Sequence, residues 1–182
     1  MAHQRTDSYI KDSIDLFRYY KKLGENAMAQ CPEEGLFECL DGESNSIAIV
    51  VKHIAGNMRS RWTDFLTTDG EKPDRHRDTE FEEPATTRAA MMEQWNAGWS
   101  GLFTALEPLT EADATRTVTI RTEPHSVMQA INRQVAHYSY HVGQIVFLAK
   151  HFASANWKTL TVPRGKSAAF TADVAAGRKS QR

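Results

Sequence analysis

The sequence predicts an all-α fold, and more narrowly a four-helix bundle. Four long segments repeat apolar residues at the spacing of an amphipathic helix, and stretches rich in Gly, Pro and Asp separate them. No convincing set of strands appears in the rest of the chain. Long amphipathic helices bury their apolar faces against one another, so a bundle is the expected architecture.

The first two helices are predicted over residues 7–30 and 44–66. Pro32 ends the first segment, because proline cannot continue a helix. The second begins at the run SNSIAIVV, where Ser44 or Asn45 is a plausible N-cap. Its β-branched residues are also compatible with a strand, but the apolar spacing that follows favours a helix.

The third and fourth helices are predicted over residues 85–106 and 124–152. Pro124 is expected in the first turn of the fourth, where its missing N–H is no loss. The alternating run TVTIRT between these helices indicates a short extended piece. After the fourth helix, the sequence predicts a short final helix capped near Ser167.

A charged loop, residues 67–84, joins the second and third predicted helices. Loops of this length are usually functional or disordered. Its arginines and those just before it either pair with the interleaved acids or attract a carboxylate-bearing substrate. The number of acids favours pairing. The residues concerned are Arg59, Arg61, Arg75 and Arg77, with Asp69, Asp74, Asp78 and Glu80 as the acids.

The length and the charge balance of the chain limit the classes of protein to which it can belong. The chain of 182 residues fits a single domain, 1–182. Because 22 Lys+Arg nearly balance 23 Asp+Glu, neither a nucleic acid nor a membrane surface is an expected partner. No apolar run approaches the roughly 18 residues needed to span a bilayer. The polar N-terminus predicts a cytoplasmic protein, in which Cys31 and Cys39 are reduced.

The run VAHYSYHVGQ places His137 and His141 four residues apart in the fourth helix. Residues at this spacing lie side by side, with Cβ atoms about 6 Å apart, so both imidazoles can reach one ion. The alternative is a pair of partly buried histidines bonded to neighbours, and the pair alone favours it. Tyr138 stands where the zinc-protease motif HExxH has its glutamate, which argues against peptide hydrolysis by that mechanism.

A third histidine, His53, lies in the middle of the second helix. Three imidazoles on a divalent ion leave one position for water or substrate, as catalytic sites require. With His53 included, the sequence supports a metal site and a metal-free arrangement of histidines equally. The remaining histidines are not expected to be ligands: His3 is terminal, His76 lies in the charged loop, His125 opens the fourth helix and His151 lies far along it.

Three polar residues are candidates to support such a site. Asn57 follows His53 by one turn and could bond a ligand or a bound water, although a hydrogen bond between helices is equally expected. Gln134 and Gln144 flank the histidine pair at a spacing of three. Each could orient a ligand, but for each a purely structural role is favoured.

One histidine in the second helix and an HxxxH pair in the fourth resemble the DinB-like (YfiT-type) metalloenzyme superfamily of four-helix bundles. Residues 45–81 (NSIAIVVKHIAGNMRSRWTDFLTTDGEKPDRHRDTEF) and 160–167 (LTVPRGKS) are similar to one bacterial branch of it. The resemblance covers nearly the whole chain. It implies an up-down-down-up bundle, often dimeric, and a divalent metal, zinc or nickel, held by His53, His137 and His141.

That superfamily includes transferases and isomerases that use low-molecular-weight thiols such as bacillithiol or mycothiol. A divalent ion stabilises a thiolate, which makes the thiol a nucleophile at neutral pH. The resemblance therefore implies a metal-dependent enzyme that transfers a thiol to, or hydrolyses, a small substrate. Two alternatives stay open: a non-enzymatic metal-binding or homodimeric interaction module, and a metal-free bundle.

Overall fold

The computed structural model describes residues 5–180 and is mostly helical, with one small antiparallel sheet of two strands, which agrees with an all-α fold. The helices are α1 (Tyr9–Met28), α2 (Ile47–Trp62), α3 (Arg88–Leu106), α4 (Val127–Ala153) and α5 (Ser167–Ala175), and the strands are β1 (Thr117–Ile120) and β2 (Glu123–Ser126). Among these residues, no helix is both long and apolar enough to cross a membrane.

Each of the four long helices begins at a hydroxyl residue that caps it. The side-chain oxygen accepts a hydrogen bond from the backbone N–H three residues later, which satisfies a donor that the helix itself leaves unpaired. These N-caps are Ser8, Ser46, Thr87 and Ser126. The predicted short final helix is present, but Ser167 is its first helical residue; the N-cap position is Lys166, which makes no side-chain capping hydrogen bond.

Helix α2 is shorter than predicted at both ends. Neither Ser44 nor Asn45 is its cap, because Ser44 is held in the preceding turn by Asp41, and Ser46 caps the helix instead. At the other end, Thr63 is extended and Asp64 has a left-handed φ of 49°, so the helix stops before the predicted residue 66.

A β-hairpin precedes α4, and the prediction that Pro124 and His125 open this helix is wrong. Both residues lie in β2, which pairs with the extended piece predicted at TVTIRT, here β1. The helix begins after Ser126 because Ser126 and Gln129 form a reciprocal capping box. In it, Ser126 N donates to Gln129 Oε1 at 2.9 Å, and Gln129 N donates to Ser126 Oγ at 3.1 Å.

Helices α1 and α4 pack together and run in the same direction. At the start of both, the Tyr9 hydroxyl donates to the backbone oxygen of Met128 at 3.0 Å. Beyond the end of both, Gln30 accepts from the backbone N–H of Lys158 at 2.7 Å. Because the starts of α1 and α4 contact each other and the segments after their ends do so as well, the two helices are parallel.

Helix α3 runs in the opposite direction to α1. Arg88, its first residue, donates to the backbone oxygens of Met28 and Cys31 at the end of α1, both at 2.9 Å. Near the other end of α3, Glu107 pairs with Arg18 of α1 at 2.8 Å. The start of α3 therefore lies beside the end of α1.

Helix α2 is antiparallel to α4 and parallel to α3, its main packing partner. Its middle residue His53 contacts His141, and its last residue Trp62 donates to the Tyr138 hydroxyl, which lies earlier in α4. A parallel pair of consecutive helices needs a connection that returns along the length of α2, 16 residues or about 24 Å. This requirement accounts for the length of the charged loop.

Large aromatic side chains fill the core beneath α4. Phe17 and Tyr138 are fully buried, and their ring centroids lie 5.9 Å apart. A Cβ atom on Gly24 would come within 2.8 Å of the Trp95 ring, so glycine allows this ring to pack against α1. Tyr138 follows directly after His137, and the core thereby fixes the part of α4 that carries the histidine pair. Within residues 5–180 the buried Phe, Trp and Tyr side chains are Phe17, Trp62, Phe65, Trp95, Trp99 and Tyr138.

The two cysteines are free thiols in different surroundings. Cys31 is buried and Cys39 is exposed. Burial raises the pKa of the Cys31 thiol to about 11, so it stays protonated at neutral pH. Among the described residues, neither cysteine belongs to the cluster of potential metal ligands that His53, His137 and His141 form.

Candidate metal centre

Three histidines from two helices converge on one point. His53 comes from the middle of α2, and His137 and His141 from one face of α4. The Nε2 atom of His137 lies 3.3 Å from Nε2 of His53 and 3.1 Å from Nε2 of His141. The candidate ligand atoms of all three lie within 4.8 Å of one another. We refer to these residues as the histidine trio.

Each ring of the trio has its other nitrogen, Nδ1, beside an oxygen acceptor. The pairs are His53 with Glu80 Oε2 at 2.8 Å, His137 with Gln134 Oε1 at 3.3 Å and His141 with Gln144 Oε1 at 2.7 Å. Carboxylate and amide oxygens only accept, so Nδ1 carries the proton in each neutral ring. All three Nε2 lone pairs then point toward the same small space, an arrangement that a bound cation stabilises.

The spacing of the nitrogens suits a first-row divalent ion. Metal–imidazole bonds of about 2.0–2.1 Å in a tetrahedral site place neighbouring nitrogens about 3.3–3.4 Å apart. Two of the three Nε2 separations, 3.1 and 3.3 Å, are close to this value, and the candidate ligand atoms all lie within 4.8 Å of one another. Three nitrogens leave one position of a tetrahedron for water or a substrate atom.

The surroundings keep the pair on α4 neutral, as metal ligands must be. Burial and, to a smaller extent, the neighbouring His141 and His53 lower the pKa of His137 to about 3. Burial also lowers the pKa of His141 to about 4, although the hydrogen bond to Gln144 opposes the shift. At neutral pH both rings therefore carry an unprotonated nitrogen.

Glu80, which holds His53, comes from the charged loop and was not among the predicted site residues. It is 6% exposed, and Arg75 binds it with two parallel hydrogen bonds, Nε to Oε1 at 2.8 Å and Nη2 to Oε2 at 2.9 Å. Burial alone would raise the pKa of Glu80, but the hydrogen bonds from His53 and Arg75 outweigh it and lower the pKa. Glu80 thus stays ionised and orients the His53 ring.

Two neighbours let the charged loop approach α2 so closely. A Cβ atom on Gly56 would lie 2.5 Å from Glu80 Oε1, so only glycine leaves room for the carboxylate. Phe81, the next residue of the loop, stacks on the His53 ring with centroids 4.7 Å apart. The loop therefore covers one side of the trio and supplies its only carboxylate contact within residues 5–180.

Of the three predicted supporting residues, two contact the histidine pair and one does not. Gln134 and Gln144 lie against the Nδ1 atoms of the histidine pair. Asn57 instead accepts a hydrogen bond from the Tyr138 hydroxyl at 2.9 Å. This bond joins α2 to α4, which is the alternative role expected for Asn57 from the sequence. The same hydroxyl accepts from Trp62 Nε1 at 3.1 Å.

The other histidines do not join the trio. His76 and His151 are exposed, and His125 is partly exposed with Nδ1 beside the backbone oxygen of Glu123 at 3.0 Å. His3, expected to be terminal and not a ligand, lies outside the described residues.

A cleft of about 440 Å³ opens beside the trio. Its wall includes all three histidines, together with Asn57 and Gln134. Among the described residues, five arginines line it as well, and no aspartate or glutamate does. These are Arg61, Arg75, Arg77, Arg121 and Arg133, which we call the arginine set.

The predicted pairing within the charged loop is partly present. Arg75 pairs with Glu80 at 2.8 Å and Arg77 with Asp78 at 3.5 Å. Arg61 pairs instead with Glu71, and Arg59 has no ion-pair partner among residues 5–180. Asp69, expected to pair with an arginine side chain, accepts backbone N–H groups of the hairpin turn and of its own loop.

With this geometry established, comparison with known proteins gives the family. Residues 4–166 match the family described as "Protein of unknown function (DUF1572)". The chain belongs to this family. Searches of curated proteins and of solved structures find no match. Because the DUF1572 description assigns no activity, any functional argument has to start from the histidine trio and its cleft.

Proposed function

We propose that this DUF1572 protein is a divalent-metal-dependent enzyme whose ligands are His53, His137 and His141. One observation carries the proposal: three Nε2 atoms converge while an oxygen acceptor holds the proton of each ring at Nδ1. Imidazole ligands suit zinc and nickel, the two metals that the DinB-like resemblance implies. Gln134, Gln144 and Glu80 orient the rings.

We also propose that the chain is one DinB-like domain over residues 1–182, with its four long helices in an up-down-down-up bundle. The parallel pairs α1 with α4 and α2 with α3 support this topology. In such a bundle, the ligands come from two antiparallel helices, α2 and α4. The proposed location is the cytoplasm.

The residues of the cleft favour thiol transfer over hydrolysis. A divalent ion in the trio would act as a Lewis acid that lowers the pKa of a bound thiol or water. Hydrolysis by the zinc-protease route also needs a carboxylate base. In the part of the chain that the structure describes, no aspartate or glutamate lines the cleft, and Glu80 is hydrogen-bonded to His53 and Arg75. A thiol needs no such base once its proton has been lost, and nearby arginines stabilise the thiolate.

The second candidate is a metal-binding or homodimeric interaction module without catalysis. Two large, exposed aromatic side chains on α4 favour it: Tyr140, which also lines the cleft, is 56% exposed, and Phe147 is 64% exposed. They lie seven residues apart and so share one face of the helix. Exposed aromatic residues on one face are typical of protein contacts.

Metal content tests the ligand assignment. Protein purified without a nickel column should contain close to one metal ion per chain by elemental analysis. His141→Ala should lose it, whereas His151→Ala, on the same helix but exposed and outside the trio, should keep it. Circular dichroism checks that both variants are folded. Full metal content in His141→Ala would show that the assignment is wrong.

Turnover separates the enzyme from the interaction module. Metal-loaded protein is assayed with a panel of low-molecular-weight thiols and electrophilic substrates. The enzyme proposal expects thiol consumption that needs the metal and disappears in His141→Ala. No metal-dependent turnover in folded, metal-loaded protein would favour the interaction module.

A further inference from the structure

The arginine set comes from four separate parts of the chain. Arg61 lies on α2, Arg75 and Arg77 on the charged loop, Arg121 in the hairpin turn and Arg133 on α4. Cationic side chains that repel one another gather at a single cleft, and no carboxylate of residues 5–180 lines its wall. Such a cleft has a positive potential that attracts anions.

Three of these arginines, Arg61, Arg75 and Arg121, share two carboxylates. Glu71 Oε2 is 3.0 Å from Arg61, 3.2 Å from Arg75 and 3.1 Å from Arg121. Glu80 binds Arg75 alone among them. Three guanidinium groups against two carboxylates leave an excess of positive charge. Arg61 is 4% exposed, and its buried Nε has no hydrogen-bond partner within residues 5–180.

The other two arginines are available to a ligand. Arg133 is exposed and has no hydrogen-bond or ion-pair partner within residues 5–180. The one ion pair of Arg77 within residues 5–180 is with Asp78, at 3.5 Å; that carboxylate is 95% exposed, and such surface pairs contribute little. The Arg77 guanidinium lies 5.1 Å from the centre of the Phe81 ring, which stacks on His53. It is therefore held beside the trio.

We propose that the cleft binds the anionic end of the substrate, a carboxylate or phosphate group, between Arg133 and Arg77. The planar guanidinium fork matches either oxyanion with paired hydrogen bonds. The anionic end would hold the substrate so that its reacting atom faces the trio. This orientation rests on the proposed function, but binding of the anion requires only the arginines.

Calorimetric titration of the metal-loaded protein tests the proposal with three probes: succinate, inorganic phosphate and the neutral amide succinamide. Succinate or phosphate should bind saturably, and the tighter of the two identifies the oxyanion. Succinamide should not bind. Arg133→Gln should weaken binding about tenfold, because it removes a charged hydrogen bond. The matched control is Arg164→Gln, an exposed arginine outside the cleft.

The same titration on metal-free His141→Ala separates this proposal from the metal assignment. Oxyanion binding that persists there and is weakened by adding Arg133→Gln supports the arginine cleft whatever the metal content. Wild-type protein with normal metal content but no oxyanion binding would overturn the inference and leave the metal proposal intact. Equal binding by wild type and folded Arg133→Gln would overturn it too.

Discussion

At the scale of single residues, hydrogen bonds to the second ring nitrogen determine what the trio can do. The orientation of the His53 ring depends on its hydrogen bond to Glu80. The Glu80 side chain has little freedom to move, because it is buried and Arg75 binds both of its oxygens. A carboxylate that accepts from Nδ1 raises the basicity of Nε2 and fixes the direction of its lone pair. Glu80 should therefore contribute to metal affinity without being a ligand.

Replacing Glu80 by alanine should weaken metal binding about 10–100-fold, because the His53 ring loses its orienting partner. Glu80→Gln should lose less metal affinity, since the glutamine amide oxygen can still accept a hydrogen bond from His53 Nδ1. Competition against a chromophoric chelator measures both affinities. Glu82→Ala, an exposed neighbour in the same loop, is the control. Wild-type affinity in Glu80→Ala would mean that His53 needs no such support.

At the scale of elements, the charged loop and the β-hairpin stabilise each other through hydrogen bonds at the hairpin turn. Its two turn residues, Arg121 and Thr122, have φ of 52° and 67°, a conformation that usually takes Asn-Gly. Asp69 of the charged loop accepts from both backbone N–H groups, at 2.8 and 2.7 Å. The loop thus stabilises a turn that the local sequence disfavours.

Asp69→Ala should therefore lower the free energy of unfolding by about 1–2 kcal/mol. Urea denaturation measures the change, with Asp78→Ala as the control because that carboxylate is 95% exposed. Adding Thr122→Gly should recover part of the loss, since glycine adopts positive φ without strain. A loss as small as that of the control would indicate that the turn forms without Asp69.

Gly56 links the packing of α2 to the site. Gly56→Ala should displace Glu80, since the new Cβ would lie 2.5 Å from Oε1, and metal affinity should fall toward that of Glu80→Ala. Gly101→Ala on α3 is the matched control, because nothing lies within 4 Å of its Cβ position. That control should raise stability by about 0.5–1 kcal/mol, and chelator competition should find its affinity unchanged. Unchanged affinity in Gly56→Ala would mean that Glu80 adjusts freely.

Local patterns account for the elements that the sequence predicts correctly, and long-range contacts for those that it does not. Apolar spacing and hydroxyl caps are local, so the four long helices could be found. The capping pair Ser126 and Gln129 is also local, and reading it would have moved the start of α4 past Pro124. By contrast, Glu80 and His53 are 27 residues apart in sequence, and no spacing rule connects a loop glutamate to a mid-helix histidine.

At the scale of the whole molecule, the trio joins two helices that are otherwise connected mainly through the core. His53 belongs to α2, while His137 and His141 belong to α4. Each helix has a different main packing partner, α3 for α2 and α1 for α4. An ion held by the trio therefore bridges the α2–α3 and α1–α4 pairs, and it joins the histidine pair of α4 to His53, which lies 84 residues before His137 in the sequence.

Metal binding should accordingly raise the melting temperature. A ligand that binds only the folded state at 100 times its Kd stabilises it by about 2.7 kcal/mol, which for a chain of this size is about 5–10 °C. Differential scanning calorimetry of the zinc- or nickel-loaded protein, before and after treatment with a chelator, measures the shift. In His53→Gln the shift should be lost, because two ligands on α4 alone no longer bridge the helix pairs. An equal shift in that variant would mean that the metal binds elsewhere on the chain.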